Sequence, residues 1–433
     1  MLRTIDLRGR RFSPAELLAT VPRARAARAD ALEAATAIVH EVATQGEAAL
    51  RAQASRFDGV TDHDIRVPAA HFEEALAQVD ASVRAALEES IRRVRSASAA
   101  QVPEQRTTRL AAGGVVLQRW QPVRRAGVYV PGGKAVYPSS VVMNVVPAQV
   151  AGVAQVALAS PPQAEFGGRV HPDILAAAAL LGVREVYAMG GAGAIGALAH
   201  GVASIGLDPV DVVTGPGNNF VAAAKRAVTG LVGTDAEAGA TEILIVADAT
   251  ADAALVAVDL ISQAEHDEQA SAVLVTDSAE LAERVRAEVA DRVVRTRNGA
   301  RAEAALVGEQ SAVVLVDDLA SATAFSNAYA PEHLELHVAD PRPEQFVNAG
   351  AVFVGAYAPV SLGDYLAGSN HVLPTGGQAR YAAGLSAATF LRPQQIITYD
   401  RDALREVADH IVALADAEAL PAHGEAVTAR FAR

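Results

Sequence analysis

Two series of short apolar runs, each interleaved with helical patterns, constrain this chain more than any other feature, because such alternation closes into parallel sheets with crossover helices. The first series places strands near Gly127 to Val130, Gln155 to Ala159, Glu185 to Met189 and Asp211 to Val213. The second places them at Glu242 to Ala247, Ala272 to Thr276, Ala312 to Val316 and Ala351 to Val354. The expected fold class is therefore α/β, with a helical region over 1–110, one α/β domain over 111–240, a second over 241–390 and a helical tail over 391–433. A tail of that kind often packs elsewhere, including on a second subunit. Ser13-Pro14-Ala15-Glu16 reads as a capping box at the start of the N-terminal helices.

With 433 residues, 51% of them apolar, the chain can bury at least two cores. Its net charge of −13 disfavours nucleic acid and anionic membrane surfaces, which leaves a small molecule as the expected partner. The N-terminus lacks an apolar core of signal-peptide length, so the cytoplasm is the expected location. Val141 to Ala159, interrupted by Asn144, Pro147, Gln149 and Gln155, reads as a buried helix and strand and not as a membrane span. Without cysteine there is no disulfide, no thiolate metal site and no catalytic thiol.

Gly191-Ala192-Gly193-Ala194-Ile195-Gly196 is a literal G-x-G-x-x-G after a strand and opening a helix, where backbone amides can hold a pyrophosphate. An acidic residue for a ribose hydroxyl should end the next strand, but Asp211 begins it, so half of that fingerprint is missing. Gly215-Pro216-Gly217-Asn218 and Pro131-Gly132-Gly133-Lys134 are two further candidate anion turns. Lys134 and Lys225, the only lysines, both sit beside glycine turns; they are either anion ligands or survivors of an Arg-rich composition. Any one of these turns is more simply explained as a tight connection, whereas three in series favour a phosphate-bearing cofactor.

Gln263 and His266 stand three apart at a predicted helix end and project from one face, as two metal ligands can. Asp364 and His423 could complete a nitrogen and oxygen set suited to zinc, although spacing alone does not join them. Glu332-His333, at the end of another predicted helix, offers a carboxylate and an imidazole able to activate water and move protons, or simply a solvated capped turn.

Over nearly its whole length the chain resembles histidinol dehydrogenases. The resemblance rests on Val128-Tyr129-Val130-Pro131-Gly132-Gly133, Gly215 to Asn218, Ala238-Gly239-Ala240-Thr241-Glu242, Gln263-Ala264-Glu265-His266, Ala330-Pro331-Glu332-His333-Leu334, and Gly363-Asp364-Tyr365 running on to Gly368 through Gly376. It implies two Rossmann-like domains of the aldehyde-dehydrogenase type, and oxidation of L-histidinol to L-histidine through L-histidinal, with two NAD used in turn and one zinc per subunit. By the family pattern Gln263, His266, Asp364 and His423 hold the zinc, which in turn grips the substrate. Glu332 activates the water that adds to the aldehyde, and His333 accepts protons. Thr241, His371 and Glu418 help hold the substrate, together with Gln263, His266, His333, Asp364 and His423.

Tyr129, Asn218 and the position of Gly193 carry over as NAD contacts, but many members have Gln where Gly193 stands and Ala where Gly196 stands. Gly239-Ala240-Thr241 likewise replaces a more usual Gly-Pro-Ser. The resemblance also implies a homodimer in which the C-terminal tail reaches the partner's site, so that His423 and Glu418 act in trans. Other readings of the same residues are a zinc hydrolase with Glu332 as base, a metal-loaded binding protein, or a related dehydrogenase of another small alcohol such as a sulfonated diol.

Overall fold

Runs rich in Val, Ile and Ala pair side by side in parallel, as expected when both faces of a sheet are covered and every position can be apolar. Five form one sheet in the order Val186–Ala188, Gln155–Ser160, Arg125–Tyr129, Val212–Thr214, Gly233–Thr234. Six form another in the order Arg3–Asp6, Ala312–Leu315, Ser271–Thr276, Glu242–Ala247, His333–His337, Ala351–Val354. In the first sheet the chain leaves Arg125–Tyr129 for a neighbour on one side and later returns to its other side, so a crevice opens beyond Tyr129 and Thr214. The second sheet reverses in the same way between Glu242–Ala247 and His333–His337.

This computed structural model describes residues 2–23, 28–132, 136–236 and 239–432, with only the backbone for 28–30. Gly133, Lys134 and Ala238 lie outside the described residues. The chain divides into two units, one of Met1–Gln101 and Arg124–Phe390, the other of Val102–Val123 and Leu391–Arg433.

In the first unit the expected capping box closes as read, with Ser13 and Glu16 bonded reciprocally at the helix Pro14–Thr20. The helix Arg28–Gln45 buries Ala35, Val39 and Val42 in the core that covers the five-stranded sheet. The next helix, Glu47–Gln53, runs directly into a π-helical turn, Ala54–Asp58. Val141 to Ala159 is a helix, Pro138–Ala151, and the strand Gln155–Ser160. No helix among the described residues is long and apolar enough to cross a membrane.

Three segments differ from expectation. Arg3–Asp6, expected within a helical region, is an edge strand beside Ala312–Leu315; it is short and mostly exposed, so it lacks the apolar run that marks a central strand. His333–His337 is a fully buried strand in which three of five side chains are ionisable, so no apolar run announces it. Leu391–Tyr399, expected to begin a helical tail, instead pairs antiparallel with Gly114–Pro122, which pairs with Arg106–Ala111. Its exposed polar face and Pro393 suit an edge strand and hide it from a hydrophobicity reading. The helices Arg401–Ala417 and Pro421–Thr428 complete this second unit.

Candidate active site

The helix Leu319–Tyr329 ends at Ala330, whose φ of 50° places it in the left-handed region and turns the chain sharply into the next strand. His333 then lies beside Ile243, so the dyad sits at the amino ends of two neighbouring strands. Glu332 is buried, and its Oε2 accepts the Thr241 hydroxyl at 2.6 Å and the Glu242 amide at 2.9 Å. Burial outweighs these bonds and pushes its carboxyl up to about 8. His333 faces the Glu242 carbonyl through Nδ1 at 3.1 Å. A carbonyl only accepts, so Nδ1 carries the proton in the neutral ring and Nε2 keeps its lone pair. Burial also depresses the His333 pKa, which favours that neutral, basic form.

Gln263 occupies the last turn of the helix Ala253–Ala264, as expected, and His266 follows the helix's C-cap, Glu265. The Gln263 Nε2 donates to Thr241 Oγ1, which makes a continuous chain from Gln263 through Thr241 to Glu332. Its Oε1 is buried without a hydrogen-bond partner among the described residues. A buried amide oxygen facing no donor is costly unless a cation meets it, so this atom suits a metal ligand. His266 turns Nδ1 to the Ser262 carbonyl at 3.1 Å, leaving the Nε2 lone pair as a second available metal-ligand atom.

Asp364, on the short helix Val360–Tyr365, has Oδ1 4.0 Å from His333 Nε2. Its carbonyl accepts from His371 Nδ1 at 2.9 Å, while His371 Nε2 meets the Ser140 hydroxyl at 3.1 Å. Thr241 and His371, both expected to touch substrate, thus already spend their polar atoms within the protein. His423 and Glu418 belong to the second unit, one on the helix Pro421–Thr428 and the other at the end of Arg401–Ala417; both are exposed.

Sequence reasoning missed two supporting groups. Glu335 and His337 share one face of their strand with His333, and with Asp259 they bring ligand atoms within 4.8 Å of one another. These three could hold a cation, but they already satisfy each other. His337 Nε2 lies 3.2 Å from Glu335 Oε2, and burial together with the neighbouring Glu335 charge pushes Asp259 up to about 7. Glu335 Oε1 also accepts the Val360 amide at 2.8 Å, tying the strand to the helix that carries Asp364. The orphaned Gln263 oxygen marks the better cation site.

The second group is Arg23, whose guanidinium pairs with buried Glu242, stacks 4.1 Å from the Tyr329 ring centroid and donates to the Tyr329 carbonyl. It braces the turn that presents Glu332. Arg23→Met should leave a buried carboxyl without its cation and cost about 3–5 kcal/mol, read as a lower midpoint in thermal or urea unfolding. An unchanged midpoint would remove the brace from this account.

On the nucleotide side, Tyr129 is buried at the end of its strand and its hydroxyl accepts the Gly191 amide at 3.1 Å. Asn218 caps its own helix, its Oδ1 accepting from Phe220 and Val221 amides at 3.0 and 3.2 Å. The Gly215 amide is already taken by Asp235 Oδ2 at 2.8 Å, and Asp235 also pairs with the buried Lys225. Lys225 is therefore a structural ion-pair partner and not the free anion ligand considered from sequence.

In the G-x-G-x-x-G, Gly196 faces the backbone of a neighbouring helix, whereas a side chain at Gly193 would have to displace the flexible end of Gln53. A Cβ at Gly193 would stand 1.9 Å from Gln53 Oε1, and one at Gly196 would stand 3.2 Å from Val39 Cα. At the start of the helix Gly191–His200 the Gly191 amide is taken by the Tyr129 hydroxyl, and Gly190 offers no side-chain cap to the amides that follow.

Residues 21–431 match the family model described as histidinol dehydrogenase. A histidinol dehydrogenase of Leifsonia xyli subsp. xyli is 62% identical over 432 residues, covering 99% of each chain. A crystal structure of histidinol dehydrogenase from Elizabethkingia anophelis superposes with a TM-score of 0.92 at 30% identity, covering 99% of this chain and 98% of that one. An acetylating aldehyde dehydrogenase from Geobacillus thermoglucosidasius, at 14% identity, a TM-score of 0.50 and coverage of 90% and 97%, shares the fold alone. The α/β architecture read from alternating runs is thus that of the matched structures, and the chain belongs to the histidinol dehydrogenase family of oxidoreductases.

Proposed function

We propose that this chain oxidises L-histidinol to L-histidine through L-histidinal in the cytoplasm, with NAD on the side of the five-stranded sheet and zinc on the side of the six-stranded one. The observation that carries the reading is the chain Gln263–Thr241–Glu332, which couples an unsatisfied buried amide oxygen to a protonatable carboxylate beside a basic imidazole. Gln263, His266 and Asp364 fit a zinc ion, with His423 as a fourth ligand, and Tyr129, Gly193 and Asn218 line the NAD side. When bound, zinc supplies a template for the substrate's amine and imidazole, and NAD accepts hydride.

The chain's own groups manage the protons. His333 Nε2 takes the alcohol proton as the carbon loses hydride. Glu332 then takes a proton from water as its oxygen adds to the aldehyde carbon, while His333 returns its proton to the former carbonyl oxygen; the resulting hydrate gives a proton back to His333 as it loses the second hydride. With no cysteine in the chain, no thiohemiacetal can form, so hydration is the route to the acid. Glu418, Thr241 and His371 support the substrate, the last two by fixing Glu332 and Asp364.

The test is stoichiometric: with histidinol limiting, two NADH should form per substrate, and none after chelation. One NADH per histidinol would sink the four-electron course, and a hydrolase would form none. The same reading makes the protein a homodimer with shared sites.

A further inference from the structure

The helix Glu47–Gln53 and its π-helical continuation carry no residue given a role in the proposed reaction, although π-turns often mark functional positions. Gln53 is 8% exposed, and its Nε2 is buried with no hydrogen-bond partner. Its Oε1 occupies the place from which any side chain at 193 would start, 1.9 Å from a Cβ built there. Gly193 is the third residue of the helix Gly191–His200, whose first turn is uncapped and whose Gly191 amide reaches the Tyr129 hydroxyl at 3.1 Å. The same segment ends in Asp58, whose charge also acts on Tyr129. A carboxamide is therefore held against the first turn of Gly191–His200, its oxygen beside Gly193 and its buried Nε2 unpaired among the described residues.

We propose that Gln53 is a cofactor-contacting residue, its Nε2–H donating to an oxygen of the dinucleotide over the first turn of Gly191–His200. The glycine at 193 is the complement of this arrangement, because a Cβ there would meet the carboxamide oxygen and turn Gln53 out of its observed position. The proposal rests on the NAD reading above. Burying an amide donor without a partner costs free energy, and a ligand oxygen removes that cost on binding.

The experiment measures NAD affinity by calorimetric titration of the zinc-loaded protein, alongside thermal unfolding without NAD. Gln53→Ala should weaken NAD about tenfold, the worth of one good hydrogen bond, without lowering the cofactor-free midpoint. Gly193→Gln alone should lower that midpoint, because its Cβ meets Gln53. The double variant Gln53→Ala with Gly193→Gln, which returns a carboxamide from the other helix, should recover both midpoint and affinity. If Gln53→Ala binds NAD within about twofold of the parent, or lowers only the midpoint, Gln53 is a packing residue and the proposal fails while the NAD reading stands. If the parent protein itself takes up no NAD, the NAD reading fails first.

Discussion

Glu332→Gln is expected to lower kcat for the NADH formed from histidinol by about 10²- to 10⁴-fold, the usual worth of a positioned acid or base. The variant keeps an oxygen for the Thr241 hydroxyl and the Glu242 amide, so the geometry survives while the ability to take a proton from water is lost. In the parent, the rate should rise with pH along a limb whose midpoint lies at or below about 8, since a bound cation can only draw that carboxyl down. The variant should lack this limb.

Stability supplies the control. A carboxyl held at about 8 when folded, against 4.5 when free, stays protonated in the folded chain over a range where the unfolded chain has already lost its proton. The unfolded state then binds fewer protons, so the chelated parent loses stability as pH rises through that window. Glu332→Gln should not, and should be the more stable of the two at pH 8. Full activity in a folded Gln variant would take the general base away from Glu332.

Why much of this was legible, and some was not, follows from where polarity is tolerated. Runs such as Glu242–Ala247 and Ser271–Thr276 are buried along their length, so their sequences are nearly continuous in apolar residues. His333-Leu334-Glu335-Leu336-His337 is buried just as fully, yet its polar face carries the dyad's imidazole and the contacts that hold Val360. A functional strand breaks the pattern that identifies its neighbours. Arg23 and Glu242 lie 219 positions apart, and only the folded chain shows that one cation serves the other. The glycine fingerprint carried two readings in the sequence, and the fold adds that Gly193 and Gly196 lie against Gln53 and Val39, residues that no local motif connects to them. Motif resemblance supplied the zinc set as a list of residues; the tautomer of His266 and the orphaned oxygen of Gln263 supply a physical reason for two of them.

Mixing His423→Ala chains with Glu332→Ala chains, each nearly inactive alone, should restore activity to about a quarter of parental sites after full subunit exchange. His423 and Glu418 lie in a unit that also exposes Leu110, Ile397, Leu414 and Leu420. If the tail serves the partner's site, then in a mixed dimer one site receives both an intact Glu332 and an intact His423, while the other receives neither. Random pairing makes half of the dimers mixed, and half of their sites are whole, hence the quarter. If His423 instead serves its own chain, every site in the mixed dimer carries one lesion and no activity returns. Exchange can be verified by mass, using chains of two lengths, so that an inactive mixture with demonstrated heterodimers would assign His423 to its own subunit's site.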